Sequence, residues 1–158
     1  MFIKPEKKSI LFFILFMVIL AACDPKRVFD ENKIVENGNW NVNNKLRFNV
    51  PVEDIISHYN FYLYVRNAVE YPFSNLFIFI TTTFPDGRMA RDTVELTLAG
   101  YDGRWLGSGM GNVKYNKFLF QKGVQFKQKG NYRFEFEQAM RINEIKGIRD
   151  IGLRIEKE

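Results

Sequence analysis

Apolar and polar residues alternate with a period of two along much of the chain, and this alternation is the strongest constraint on its fold. Successive side chains of a β-strand point to opposite faces, so the alternation is typical of strands with one buried face. Turn-forming residues such as Pro85, Asp86 and Gly87 separate the alternating runs. The pattern therefore predicts an all-β domain. The apolar members of the runs are Leu46, Phe48 and Val50; Phe61, Leu63 and Val65; Leu76, Ile78 and Ile80; Val94, Leu96 and Leu98; Tyr132, Phe134 and Phe136; and Ile151, Leu153 and Ile155.

The predicted strands are short, and no helices alternate with them. Another strand or two is expected within residues 115–126, whereas residues 53–57 and 138–146 each have room for a turn or two of helix. Such a series of strands predicts an antiparallel β-sandwich with little helix. Immunoglobulin-like and jelly-roll topologies fit the pattern equally well, and a closed barrel is the next option.

The first part of the chain has the composition of an export signal. Lys4, Lys7 and Lys8 precede an unbroken apolar run at residues 10–20. That run is too short for a membrane-spanning helix, which needs about 20 apolar residues. A basic head, a short apolar stretch and small residues behind it together predict a secretory signal peptide.

Residues 20–23, Leu-Ala-Ala-Cys, look like a bacterial lipobox, in which diacylglycerol alkylates the cysteine thiol and the chain is cut just before it. The only cysteine of the chain, Cys23, stands at the position that this chemistry requires. We therefore predict that residues 1–22 are a lipoprotein signal peptide and that Cys23 is acylated, so that membrane lipid is a partner. The removed segment carries three Lys and one Glu, and the net charge falls from +5 to +3.

Two further boundaries follow from the composition of the remaining chain. Residues 23–38 are polar and show no sustained period, so we expect a lipidated tether there. Residues 39–158 are then a single β-sandwich domain, because a chain of 158 residues has no room for a second large core.

The chemistry-bearing residues are few. One Cys and one His exclude an internal disulfide and a site built from several Cys or His ligands. His58 is not accompanied by the Gly-x-Ser-x-Gly motif of serine hydrolases. The glycine-rich run at residues 103–112 lacks the Gly-Lys-Ser/Thr ending of a phosphate-binding loop. We therefore predict no catalytic residue, no metal and no cofactor, that is, a protein that is not an enzyme.

Two groups of aromatic residues are candidates for binding. Tyr62, Tyr64 and Arg66 share one face of a predicted strand, and Tyr and Arg are frequent hot-spot residues of protein interfaces. These three are candidates for partner contact; the alternative is that this face of the strand is also covered.

As a second function class, a carbohydrate-binding sandwich would use Trp40, Tyr101 or Trp105 as stacking platforms. That function requires an exposed Trp in a polar groove, and burial of Trp105 would argue against it.

Lysines and aromatic residues are interleaved over residues 114–129. Such interleaving occurs in proteins that bind single-stranded nucleic acid. An exported lipoprotein rarely meets nucleic acid, so we predict no nucleic-acid partner. A lysine-rich edge strand, which resists edge-to-edge aggregation, explains the same pattern.

A set of short stretches, in this order and spacing, carries a family resemblance. They are 23–24, 27–29, 62–67 (YLYVRN), 71–76 (YPFSNL), 92–93, 98–99, 103–111, 130–141 and 151–155. Together they resemble the gliding-motility lipoprotein family, GldH type, of Bacteroidota. The resemblance covers nearly the whole chain after residue 22.

The resemblance implies a cell-envelope lipoprotein needed for gliding over surfaces, a motility without flagella or pili that is coupled to type IX secretion of adhesins. It implies other proteins of the gliding machinery as partners, and it carries over only Cys23 as a functional residue. We expect a non-enzymatic assembly or scaffold role. Asp24 is followed by Pro25, Lys26 and Arg27 rather than by the run of acids associated with surface export. The periplasmic face of the outer membrane is therefore favoured over the cell surface.

Overall fold

The computed structural model describes residues 24–158 of the chain. The predicted signal peptide, residues 1–22, and the predicted acylation of Cys23 lie outside the described residues. No helix within the described part is long and apolar enough to cross a membrane.

The regular secondary structure of the described chain is almost entirely β-strand. A short 3-10 turn, Glu36–Gly38, follows the first strand. The strands are β1 (Arg27–Ile34), β2 (Asn39–Asn41), β3 (Leu46–Val52), β4 (Tyr59–Ala68), β5 (Asn75–Thr83), β6 (Met89–Thr97), β7 (Val113–Val124), β8 (Gly130–Gln138), β9 (Glu144–Lys146) and β10 (Ile148–Lys157).

These strands form two four-stranded sheets and one small two-stranded ribbon. Sheet I has the strand order β1-β10-β4-β7, and sheet II has the order β3-β8-β5-β6; β2 and β9 form the ribbon. Neighbouring strands are antiparallel in all three. The prediction of an antiparallel β-sandwich is confirmed, and the strand expected within residues 115–126 is the long β7.

Aromatic and aliphatic side chains from the inner faces of both sheets form the core. Phe61 on β4 of sheet I lies 5.9 Å, between ring centroids, from Phe134 on β8 of sheet II. Within sheet II the rings of Phe48 and Phe136 are 4.9 Å apart, and both residues are completely buried. These are the alternating apolar positions of the sequence, because a period of two places them all on one face of each strand.

The strand register gives the sandwich two distinct ends. We call one the anchor end: it contains residues 24–26, the loops 53–58, 84–88 and 125–129, and residue 158. We call the other the far end: it contains the loops 69–74, 98–112 and 139–143. The first and last described residues therefore lie at the same end.

The prediction of a tether over residues 23–38 is wrong for most of that segment. Arg27–Ile34 forms β1, which pairs with β10 at the edge of sheet I. The ring of Phe29 packs against the core, and the backbone of β1 forms hydrogen bonds with the backbone of β10. The segments 53–57 and 138–146 form loops and the short strand β9 instead of helical turns.

Truncation of Phe136 should destabilise the sandwich strongly. Phe136→Ala removes a completely buried ring that contacts Phe48, and such a change costs about 3–5 kcal/mol of the free energy of unfolding. Urea denaturation followed by tryptophan fluorescence would measure this loss. Asn49→Ala, at an exposed position of β3, is the control and should change the free energy by less than about 0.5 kcal/mol. A similar loss for both variants would contradict the assignment of the core.

Candidate functional site on the outer face of sheet I

The outward-facing side chains of sheet I form rows across its four strands. We call these rows the outer face of sheet I, and its members are Ile34, Asp150, Arg66 and Tyr115; Asn32, Gly152, Tyr64 and Lys117; and Asp30, Arg154, Tyr62 and Leu119. The three candidates for partner contact, Tyr62, Tyr64 and Arg66, all lie on this face.

Arg154 lies at the centre of an ion-pair network on this face. Its Nη1 lies 2.7 Å from Oδ2 of Asp30, and its Nε lies 2.6 Å from Oε1 of Glu156. Its Nη2 donates to Asp24. The hydrogen bond from Arg154 is the main reason why the pKa of Asp24 is below its ordinary value. One largely buried guanidinium therefore neutralises three carboxylates from two strands and the preceding segment.

This network fixes the segment that immediately follows the predicted lipidation site. Asp24 is the residue next to Cys23, and its carboxylate is bound by Arg154. The backbone N–H of Lys157 also donates to the carbonyl of Lys26, over 2.8 Å. The chain is thus held on sheet I from Asp24 onward.

The predicted exposed stripe of Tyr62, Tyr64 and Arg66 is only partly present. Tyr64 is 7% exposed, because it packs over Gly152 and its ring lies 5.4 Å from that of Tyr115. Nζ of Lys117 lies 4.0 Å from the centre of the Tyr62 ring and shields it. Desolvation raises the pKa of Tyr115 to about 12, so both tyrosines of this pair keep their protons at neutral pH. For Tyr64 the alternative of a covered face is the correct one.

Arg66 is half-exposed but already has a partner. Its guanidinium forms an ion pair with Asp150, and its Nε lies 2.6 Å from Oδ2 of that residue. Asp150 is buried, so the carboxylate depends on Arg66 for neutralisation. Arg66 therefore has a structural task in addition to its place on the surface.

This face also exposes two apolar residues that the sequence pattern does not reveal. Ile34 on β1 is 80% exposed and Leu119 on β7 is 49% exposed, and both lie on the outer edges of the sheet. Ile34 falls in the segment predicted as a tether, where no face was assigned. Leu119 falls in the alternating pattern of β7. That pattern shows that Leu119 and Phe118 point to different faces of the strand, but it does not show which of the two faces is covered.

The three aromatic residues proposed for sugar stacking do not form one site. Trp40 is completely buried, and its Nε1 donates to the carbonyl of Asn44 over 2.8 Å, so it is a core residue and not a platform. Trp105 is half-buried with its ring 6.4 Å from that of Tyr71. Only Tyr101, at the far end, is fully exposed. The carbohydrate-binding alternative thus loses Trp40 as a stacking platform.

Comparison with known proteins settles the family. The profile of the GldH lipoprotein family matches residues 27–155. The chain belongs to the GldH lipoprotein family. The predicted resemblance is confirmed, and this family member is a membrane-anchored lipoprotein of the cell envelope that belongs to a gliding machinery.

Two relatives cover nearly the whole chain of this GldH family member. It is 35% identical over 156 residues to "Gliding motility lipoprotein GldH homolog" of Christiangramia forsetii, and this match covers 94% of this chain and 95% of the relative. It is 35% identical over 152 residues to "Gliding motility lipoprotein GldH" of Flavobacterium johnsoniae, covering 92% and 94%.

Among solved structures, dimeric latent PorU from Porphyromonas gingivalis matches with 10% identity and a TM-score of 0.29, over 87% of this chain and 13% of that chain. A TM-score this low gives the likeness no weight for fold or function.

Removal of Arg154 should release β1 of this GldH family member from the sheet. Arg154→Met leaves Asp30 and Asp24 without their cation, and because the Arg154 side chain is only 14% exposed, its loss should lower the free energy of unfolding by more than the loss of an exposed ion pair does. Hydrogen exchange at neutral pH should show faster exchange of the β1 amides, and urea denaturation should show the lower stability.

Arg47→Met is the matched control. Arg47 pairs with Glu135 on the outer face of sheet II and is more than half-exposed, so its loss should cost less than about 1 kcal/mol. Equal effects of the two variants, or unchanged β1 exchange in Arg154→Met, would show that the network does not hold β1.

Proposed function

We propose that this protein is a non-enzymatic assembly component of the gliding machinery, anchored by acylated Cys23 on the periplasmic face of the outer membrane. In this role it binds another protein of the machinery through the outer face of sheet I. Membership of the GldH family supports the process, and the lipobox at residues 20–23 supports the anchor.

The observation that carries the proposal is the composition of the outer face of sheet I. One row of this face exposes Ile34, Arg66 and Tyr115. The exposed Leu119 lies on the same strand as Tyr115, two residues beyond Lys117. Exposed apolar side chains beside Tyr and Arg are the usual anchors of a protein interface. The ion pairs of the same face hold these side chains on a rigid sheet, which lowers the entropic cost of binding.

The ion pairs of the outer face of sheet I support a non-enzymatic role. The carboxylates of the outer face, Asp30, Glu156 and Asp150, each contact a cation of the same face. The acids of this face therefore serve its architecture.

The periplasmic side is supported by the residues that follow Cys23. Asp24 is the only acid among residues 24–27, and its carboxylate binds Arg154. Surface export is associated with a run of acids directly after the cysteine, and here Pro25, Lys26 and Arg27 follow Asp24 instead. The first acid after the anchor is instead part of the folded sheet.

Substitution of Cys23 should detach the protein from the membrane. Cys23→Ser removes the thiol that forms the thioether to diacylglycerol, so incorporation of labelled palmitate should fall to background and spreading on agar should be lost. Globomycin, which blocks the lipoprotein signal peptidase, is the control and should leave an unprocessed but acylated form. Undiminished palmitate labelling of the variant would disprove the anchor.

A charge on the outer face of sheet I should block partner binding and leave the fold intact. Leu119→Asp places a carboxylate at a half-exposed position of an edge strand, and loss of an interface anchor weakens binding by about 2 kcal/mol or more. Cells that produce this variant should hold normal amounts of membrane-bound protein, fail to spread on agar, and lose crosslinks to the partner.

Thr93→Asp is the control for this change, because Thr93 is an exposed residue of β6 on the outer face of sheet II. Cells that produce Thr93→Asp should spread normally. Arg66→Ala is unsuitable as a test, since it strands the buried carboxylate of Asp150. Normal spreading of a Leu119→Asp, Ile34→Asp double variant would remove this face as the contact surface.

A further inference from the structure

The distance between the anchor and the folded domain is very short. Only residues 24–26 separate Cys23 from the first residue of β1, Arg27. A fully extended chain spans at most about 3.5 Å per residue, so this segment reaches about 10 Å. The bond from Arg154 to Asp24 shortens the free length further. A domain held this way cannot stand off the bilayer.

The loops of the anchor end are joined to one another by hydrogen bonds. Nζ of Lys157 lies 2.8 Å from Oδ2 of Asp54 in the loop 53–58. Gln125 donates from Nε2 to the carbonyl of Ile55 over 3.0 Å, which joins the loop 125–129 to the loop 53–58. Gln128 in turn donates to Asp86 of the loop 84–88 over 2.9 Å. These bonds connect the three loops to one another and to Lys157 at the end of β10.

The anchor end exposes two large apolar side chains. Ile56, in the loop 53–58, is 82% exposed, and Met89, which follows the loop 84–88, is 69% exposed. Side chains of this kind stabilise peripheral proteins on membranes when they enter the boundary between headgroups and acyl chains.

The charged residues of the anchor end leave an excess of free cations. Its acids Asp54 and Asp86 are paired with Lys157 and Arg88. Glu53 and Glu158 are the acids of this end outside the ion pairs of the described chain. Four lysines at or beside this end have no ion pair within residues 24–158, and all four are exposed: Lys26, Lys122, Lys127 and Lys129.

The far end is beyond the reach of the anchor. β4 runs between the two ends with ten residues, so at about 3.4 Å per residue the ends are separated by about 30 Å. The exposed Leu106 of the loop 98–112 lies at that far end. An anchor of about 10 Å therefore selects the anchor end for contact with the bilayer.

We infer that the anchor end lies directly on the membrane, with Ile56 among the lipid headgroups and the free lysines against anionic phospholipid. This inference rests on the proposed acylation of Cys23. The strands then run roughly along the membrane normal, and the outer face of sheet I stands clear of the bilayer at the side of the domain.

Site-specific fluorescence tests this orientation, because acylation blocks the only native thiol and a new cysteine is then labelled uniquely. Ile56→Cys and the control Leu106→Cys, both at exposed positions, are labelled with an environment-sensitive dye in the full acylated protein. The protein is reconstituted in vesicles of equal parts phosphatidylglycerol and phosphatidylcholine. At position 56 the emission should shift to the blue and be quenched by headgroup spin-labelled lipid, and at position 106 it should not.

The charge contribution is tested in the same assay. Replacement of the vesicles by pure phosphatidylcholine should reduce the quenching at position 56. Lys127→Gln and Lys129→Gln should each weaken the contact in anionic vesicles about fivefold, since each lysine near an anionic surface contributes about that factor. Lys146→Gln, on β9 away from the anchor end, is the matched control and should have no effect.

Two failures of the experiment are distinguishable. Equal emission and equal quenching at positions 56 and 106, in protein that carries labelled palmitate, would overturn the orientation and leave the acylation standing. Reaction of the unsubstituted protein with the thiol-directed dye would show that Cys23 is free. That result would overturn the acylation and the inference that rests on it.

Discussion

The pairing of β1 with β10 is the interaction on which the rest of the structure depends. β10 lies between β1 and β4 in sheet I, and it contributes to both faces of the sheet. Its inward residues, such as Leu153, belong to the core, and its outward Arg154 binds the segment that precedes β1. The same strand thus supports the sandwich, the charged outer face and the attachment of the domain to its anchor.

Most of the strands were predictable because their environment is simple. Where one face of a strand is packed on the core and the other meets water, the physical demand is an alternation of apolar and polar residues, as in β3 (Leu46–Val52). The same demand gives the fold class, because strands joined by short connections without helices favour antiparallel pairing. The topology needed the structure, since period-two patterns contain no information on which strands are neighbours.

The errors have physical reasons at particular residues. The sequence predicts a tether in place of β1 because an edge strand buries little: of its inward positions only Phe29 is apolar, and Glu31 and Lys33 pair with each other. For Tyr64 the pattern gives the face correctly and leaves exposure and burial both open, because it does not reveal that the residue lies beside Gly152 of β10 and the ring of Tyr115, where it is buried. Trp40 stands in a three-residue strand, where a period of two is too short to assign a face.

The position of β1 also has a consequence for the order of events during export. Asp30 and Arg154 are 124 residues apart in the chain, so β1 has no partner strand until the last strand has left the translocation channel. The proposed acylation of Cys23 can therefore occur while Arg27–Ile34 still has no partner strand. Only completion of β10 pairs β1 with the sheet, and in the proposed orientation this last pairing brings the domain against the membrane.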